Sequence, residues 1–374
     1  MDPAAIASSP PGLSLPQFLE RARVARQAGD NAAAEALLRR ALEAAPRHVG
    51  AWSELALLLA ESGDDVAAAF ARREAGVAAI EEAAAMAASL LDTPMQGRAV
   101  AVLVRTIASH PEQASGHLAL AELYRRLGDL PAARAACADC LALEPDDRRA
   151  LWLQAALDGR RLPPDLDFMS PAPAWVIDDF LPDNEHAALL EFALGHDRSL
   201  EPSTVGGINP RSNWRRSQVD SNLHRSGVAI MPRLREAAAQ AVARLALEPF
   251  AVEREEFQFT AHNSGDFYKA HCDWGPGGAE HRRLTFVYYL HRQPRGFAGG
   301  GLRLYDSMEA GNAFSERGYT RVDPADNRLV LFPSYVWHEV EAVDCPSGLY
   351  ADGRFTVNGW FGVARAIGAA SSSD

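Results

Sequence analysis

Over the first 158 positions, apolar residues recur at spacings of three and four, with alanine filling much of the remainder. Ala34, Leu37, Leu38, Ala41 and Leu42 mark one stripe of an α-helix. Stops punctuate this helical pattern at a fixed interval. Gly29-Asp30 and Gly63-Asp64 lie 34 residues apart, as do Pro111 and Pro145. Gly29 to Pro46, Pro46 to Gly63, Pro111 to Gly128 and Gly128 to Pro145 each span 17. Glycine accepts the left-handed conformation that ends a helix, and proline cannot continue one. The spacing predicts helix–turn–helix units at 12–45, 46–76, 77–110 and 111–144, with a closing helix over 145–158. The third unit lacks its glycine and starts three residues early, which predicts a degenerate or locally distorted repeat.

A different pattern begins after 158. The segment GRRLPPDLDFMSPAP, 159–173, carries four prolines in 15 residues and no helical period, so it reads as a linker. WVIDDFL follows, then helices around 183–195 and 229–247. Short runs rich in β-branched and aromatic residues come next: EFQFTA, DFYKAHCD, LTFVYYLH, GLRLYD, RLVLFPS, VWHEVEAV and RFTVNGWFGVA. At least seven short strands within about 110 residues, preceded by helices, predict a double-sheet jelly roll with helical support. The expected fold class is multidomain α + β: a helical array over 1–158, the linker, and a double-stranded β-helix domain over 174–374. The array resembles the tetratricopeptide repeat. That resemblance implies a solenoid with a concave groove that takes a peptide or protein; the alternative is repeats that only dimerise or brace the neighbouring domain.

Composition narrows the function classes. The chain has 374 residues, 37 basic and 49 acidic, a net charge of −12 and 48% hydrophobic residues. That length fits two domains at about 150 residues each. Residues 1–158 hold 15 basic and 21 acidic side chains, leaving 22 and 28 beyond, so both halves are acidic. This argues against non-specific binding to nucleic acid or an anionic membrane, and makes a neutral or basic peptide the easier partner. The opening MDPAAIASSPPGLSLPQ has neither the charged nor the apolar region of a secretory signal, and no apolar run is long enough to span a bilayer. Four cysteines do not make a disulfide scaffold. Cys137 and Cys140 form a CxxC with no second pair nearby, in an alanine-rich helical segment, where small-residue packing is the simpler account. A soluble, cytoplasmic protein is the default expectation; nothing in the sequence sets an oligomeric state.

One constellation carries chemistry. His271-Cys272-Asp273 is the only HxD in the chain, although 11 histidines and 25 aspartates give about 0.7 such spacings by chance. On a strand, residues i and i+2 face the same way, so His271 and Asp273 can chelate one ion. His338, in another strand-like run, offers a third ligand. Two imidazoles and one carboxylate leave half an octahedron open, which suits an Fe(II) oxygenase. The bland alternative is a surface HxD and an unrelated histidine. Arg354-Phe355-Thr356 follows 16 residues after His338. A guanidinium with an adjacent hydroxyl can grip the distal carboxylate of a dicarboxylic keto acid. By strand parity Arg354, Thr356, Asn358 and Trp360 line one pocket. Among 36 arginines, a surface salt bridge is the competing role for Arg354.

Taken together, SGDFYKAHCDW, RRLTFVYYLHRQPRGFAGGGLRLYD, LVLFPSYVWHEVEAV and GRFTVNGWF resemble the Fe(II)/2-oxoglutarate dioxygenases of the prolyl 4-hydroxylase type, and WVIDDFLPDNEHAALL resembles that family's opening. The resemblance covers nearly all of 174–365. It implies that His271, Asp273 and His338 bind iron, that 2-oxoglutarate and O₂ are cosubstrates, and that ascorbate is a candidate reductant. Arg354 then holds the oxoglutarate C5 carboxylate, and Tyr289 contacts the same group while Tyr288 faces away. Tyr268 and Trp360 match residues near the substrate, with core packing as the alternative for both; on a regular strand Tyr268 points away from His271. The segment 206–218 resembles the family's mobile loop, with Arg215 or Arg216 against an acidic group, or is a plain solvated loop. The stretch CPSGLYADG lengthens the gap between His338 and Arg354, and Cys272 belongs on the face opposite the ligands. The expected activity is hydroxylation of a residue, with proline favoured, in a peptide held by the repeat groove. The alternatives are a small-molecule or amino-acid hydroxylase, a natural-product tailoring oxygenase, or a non-catalytic interaction protein. The only lysine, Lys269, shares the face of His271 by parity, which would put it at the pocket's edge.

Overall fold

A computed structural model describes residues 13–91, 93–162, 169–203, 213–221, 230–275, 279–308 and 313–364. Its helical part contains α1 (Leu15–Gln27), α2 (Asn31–Ala44), α3 (Val49–Glu61), α4 (Asp65–Leu90), α5 (Ala99–Ser109), α6 (Ala114–Leu127), α7 (Leu130–Leu143) and α8 (Arg148–Leu157). The Gly-Asp pairs divide their labour. Gly29, Gly63 and Gly128 take positive φ (79°, 83° and 87°) and end one helix. The aspartate that follows caps the next: Ala33, Ala67 and Ala132 donate their N–H groups to Asp30, Asp64 and Asp129 at 3.0, 3.0 and 3.1 Å. Where the proline stop between units is missing, with Val77 standing 34 residues before Pro111, the helix does not stop. α4 runs 26 residues through the expected boundary at 76, and Gly76 sits buried inside it. The distortion of the third unit is therefore a fusion of two helices. Small residues let neighbouring helices approach: Leu38, Ala41, Leu55, Leu58, Ala68 and Ala71 belong to one buried cluster.

The described residues divide into two compact units. One holds those up to Leu123 with Ala142–Glu144; the other holds Tyr124–Leu141 and those from Pro145 onward. The packing boundary thus falls inside α6, whereas the sequence pattern ends the array at 158. A buried ion cluster accounts for the difference. Arg125, 0% exposed, donates two hydrogen bonds of 2.7 Å to Asp306, and Arg149 adds one of 2.6 Å. The two guanidinium groups hold the Asp306 carboxyl below its ordinary range against the burial that would raise it. Among the described residues no helix is long and apolar enough to cross a membrane.

The second unit contains β1 (Trp175–Ile177), α9 (Asp183–Leu194), β2 (Glu201–Pro202), β3 (Arg215–Arg216), β4 (Gln218–Asp220), α10 (Met231–Arg244), β5 (Arg254–His262), β6 (Phe267–His271), β7 (Arg282–Leu290), β8 (Ala298–Gly299), β9 (Leu302–Ser307), β10 (Phe314–Val322), β11 (Arg328–Pro333), β12 (His338–Val340), β13 (Val343–Asp344) and β14 (Arg354–Gly362). A seven-stranded sheet runs β1-β11-β7-β14-β5-β4-β2, and a five-stranded sheet runs β10-β9-β12-β6-β3; their pairings are antiparallel. This is the expected jelly roll. Alternation sorts the large sheet: Phe355, Val357, Phe361, Leu284, Phe286 and Tyr288 join the core with α9 and α10, while Thr285, Val287, Thr356 and Asn358 line a cavity.

Three parts of the β pattern differ from expectation. β10 is absent from the predicted strands, because FSERGYTRV is polar on one face and contains no apolar run. The run VWHEVEAV is divided between β12 and β13. The expected loop 206–218 falls partly outside the described residues; its described end contains β3 and the start of β4.

Candidate active site

Three candidate ligand side chains, His271, Asp273 and His338, converge where β6 meets β12. His271 and His338 are direct partners in that pairing. Asp273 lies two residues beyond the strand end, where its N–H donates to the Ser334 carbonyl at 3.1 Å. His271 Nε2 lies 3.7 Å from one Asp273 oxygen and His338 Nε2 3.4 Å from the other. One ligand atom from each residue falls within 4.8 Å of the others. The backbone sets the tautomers. His271 Nδ1 is 2.8 Å from the Lys269 carbonyl and His338 Nδ1 is 3.0 Å from that of Val336. A carbonyl only accepts, so each Nδ1 carries the hydrogen and each Nε2 offers a lone pair to the centre. Burial, reinforced by His338, pushes the His271 imidazole down to about 3, leaving it neutral as a metal ligand must be. Burial opposes the charge of Asp273, but its neighbours His338 and His271 keep the carboxyl below its ordinary range. Thr285 Oγ1 donates to Asp273 at 3.0 Å and contacts Ser334 Oγ at 3.0 Å, which fixes the carboxylate's orientation. Two imidazoles and a carboxylate make the donor set of a non-haem iron site.

Arg354 begins β14 and is 2% exposed. Its Nε donates to the Gly300 carbonyl at 2.9 Å, and its carbon Cζ lies 5.0 Å from the Tyr289 ring centre. Among the described residues no carboxylate pairs with it. Beside it, Tyr289 Oη is buried without a hydrogen-bond partner. A buried cation lacking a counter-ion next to an unpaired hydroxyl is costly, and one bound carboxylate would satisfy both. The residues present therefore fit the distal end of a dicarboxylate. Tyr288 faces the other way, donating to Asn327 at 2.9 Å. Thr356 and Asn358 line the same cavity, of about 710 Å³, as Arg354 and the three ligands. Thr260 Oγ1 holds the Asn358 amide at 2.8 Å. Trp360 also lines the cavity, with its buried indole N–H unpaired and the Arg282 guanidinium 3.6 Å over its ring.

A β-bulge overturns the parity argument on β6. Between the pairs His338–His271 and Val340–Tyr268, β12 advances two residues and β6 three. The extra residue turns Tyr268 onto the ligand face, where its ring stacks on His271 with centres 3.6 Å apart. The same slip sends Lys269 away: it lines a groove with Trp214, Phe267 and Trp337 instead of the cavity that His271, Asp273 and His338 line. Arg216 is corrected as well. It is exposed and paired with Asp266 at 3.0 Å, whereas Arg215 lines the cavity with its guanidinium 4.7 Å from the Tyr268 ring centre. Adjacent strand residues face opposite ways, so only one of the two arginines can enter. Cys272 stays off the cavity, its Sγ 3.1 Å from the Trp274 carbonyl, and burial pushes the thiol up to about 11. Cys137 and Cys140 are buried on α7, as packing requires.

Gly300 has a role that the sequence reading missed, although the run Gly299-Gly300-Gly301 signals a close backbone approach. Its φ is +67°, and a Cβ there would stand 2.7 Å from Arg354 Cδ. Gly300→Ala should therefore displace the guanidinium. We expect the apparent KM for a dicarboxylate cosubstrate to rise about 10-fold or more, with metal content unchanged; steady-state kinetics and metal analysis check both.

Residues 257–362 match the 2OG-Fe(II) oxygenase superfamily, and residues 114–147 match the tetratricopeptide repeat. Over 187 residues the chain is 33% identical to an uncharacterised PKHD-type hydroxylase of Synechocystis sp., covering 49% of this chain and 61% of that one. The chain thus spans about three fifths of that curated relative's length. It is also similar to the crystal structure of a Pseudomonas putida prolyl-4-hydroxylase, at 23% identity over 51% of this chain and 93% of that one, with a TM-score of 0.39. A thermophilic tetratricopeptide-repeat protein of Thermus thermophilus matches at 23% identity over 39% of this chain and 81% of that one, with a TM-score of 0.22.

Proposed function

We propose that this chain, which joins tetratricopeptide repeats to a 2OG-Fe(II) oxygenase domain, is a dioxygenase that hydroxylates a residue, with proline favoured, of a peptide or protein recruited by the repeats. One observation carries the reading: the His271–Asp273–His338 cluster and the uncompensated Arg354 line the same cavity. When Fe(II), 2-oxoglutarate and O₂ are bound, the metal centre supplies the power to hydroxylate an unactivated C–H bond, with succinate and CO₂ released. The protein supplies the rest. His271 and His338 present Nε2 lone pairs, Asp273 supplies the anionic donor, and Thr285 holds that carboxylate in place. Arg354, Tyr289 and Thr356 bind the distal carboxylate of oxoglutarate. Tyr268, Asn358, Trp360 and Arg215 border the space left for substrate, and the stack of Tyr268 on His271 stiffens a ligand while excluding water from one side.

Fusion to repeats supports a macromolecular substrate, since stacked repeats form a surface suited to peptides. All four cysteines are free, which supports a reducing, cytoplasmic setting, with ascorbate as the accessory reductant. The test incubates the full chain with Fe(II), oxoglutarate, O₂ and ascorbate and a panel of proline-containing peptides, read by mass spectrometry. A gain of one oxygen on proline that His271→Ala abolishes is expected. Oxygenation confined to free amino acids or other small molecules would overturn the peptide assignment.

A further inference from the structure

We propose that His262 is a positioning residue for the dicarboxylate: a neutral imidazole that fixes Arg354 through Nδ1 and offers an Nε2–H donor to the cavity. This rests on the oxoglutarate reading above. His262 ends β5 and pairs directly with Arg354 across the sheet. The contact between Arg354 Nη1 and His262 Nδ1 is 3.2 Å. A guanidinium can only donate, so Nδ1 must be the acceptor, and the single imidazole hydrogen of the neutral ring belongs to Nε2. Nε2 has no hydrogen-bond partner among the described residues, and His262 lines the same cavity as the three ligands. Burial, then Arg354 and Arg215, push the imidazole well below its ordinary range, in agreement with the neutral form.

The choice of residue has a physical consequence. A carboxylate at this position would orient Arg354 equally well but cancel its charge and repel a dianion. A neutral acceptor holds the guanidinium in place and leaves its positive charge for the ligand. With Nε on the Gly300 carbonyl and Nη1 on His262, two of the three guanidinium nitrogens are committed, so the clamp is preorganised before a ligand arrives.

Calorimetric titration of the Mn(II)-loaded full chain compares two ligands. 2-Oxoglutarate uses the metal and the distal clamp; oxalate chelates the metal and has no distal carboxylate. His262→Leu should weaken 2-oxoglutarate binding about 10- to 100-fold and leave oxalate binding unchanged, and His262→Gln, a neutral acceptor and donor, should recover most of the loss. A His262→Leu protein that binds 2-oxoglutarate like the parent, or that loses oxalate binding in the same proportion, overturns the proposal. Failure of the parent chain itself to bind 2-oxoglutarate would sink the dioxygenase reading instead. Should His262→Leu not fold, ¹⁵N NMR of the unsubstituted chain decides. A neutral Nε2–H ring at about pH 6 to 8 is expected, and an imidazolium or an Nδ1–H tautomer contradicts the assignment.

Discussion

Asp273→Ala should abolish metal binding and lower succinate formation by more than about 100-fold, beyond what loss of a supporting hydrogen bond costs. The reasoning is electrostatic as well as geometric. An imidazole contributes no negative charge, so Asp273 is the one residue of the His271–Asp273–His338 set that can be an anion. Without it, a divalent ion loses both a donor and the only charge that offsets its own in a buried site. Asp273→Asn separates the two contributions, since it keeps the volume and one oxygen but removes the charge. Metal analysis after dialysis against limiting Fe(II) should give near-stoichiometric metal for the parent chain and little for either variant. Retained metal with full activity in Asp273→Ala would remove this residue from the ligand set.

The second large effect is on stability. Asp306→Ala should destabilise the unit that begins at Tyr124 by about 3–5 kcal/mol, because it removes the buried carboxylate that balances the fully buried charge of Arg125. Arg149 loses its carboxylate at the same time, though it is partly exposed and contributes less. The penalty arises from the unbalanced buried charge more than from any large net gain in the intact cluster. Replacing Arg125 and Asp306 together by Met and Leu should therefore cost less than the single change. Urea unfolding followed by circular dichroism measures both. A single-variant loss below about 1 kcal/mol, the level of an exposed ion pair, would mean that the cluster does not tie α6 to β9 as drawn.

The sequence was most informative where periodicity is rigid. The Gly-Asp turns at 29, 63 and 128 appear as expected because a positive φ and an N-cap are local demands. On β14, Arg354, Thr356, Asn358 and Trp360 share the cavity because the strand is regular over that stretch. Parity failed on β6, where one inserted residue brings Tyr268 to His271 and takes Lys269 away. A bulge of that kind is set by the partner strand, and nothing in SGDFYKAHCDW announces it. The same limit hid Arg125, whose buried partner lies 181 positions away, and His262, whose role depends on the residue facing it across the sheet. The identity of the pocket arginine, Arg215 in place of Arg216, turned on a two-residue strand too short to show a period.

The most direct test of the account follows the cosubstrate. Anaerobically prepared Fe(II) protein is mixed with 2-oxoglutarate and O₂, and succinate is quantified for the parent chain, for His271→Ala and for Arg354→Met. Succinate from the parent chain in step with oxoglutarate consumed, and none from His271→Ala, is the expected result. For Arg354→Met, turnover is expected only at cosubstrate concentrations raised by about 10-fold or more. Succinate from the parent chain no greater than from His271→Ala, with every substrate offered, would contradict the dioxygenase reading.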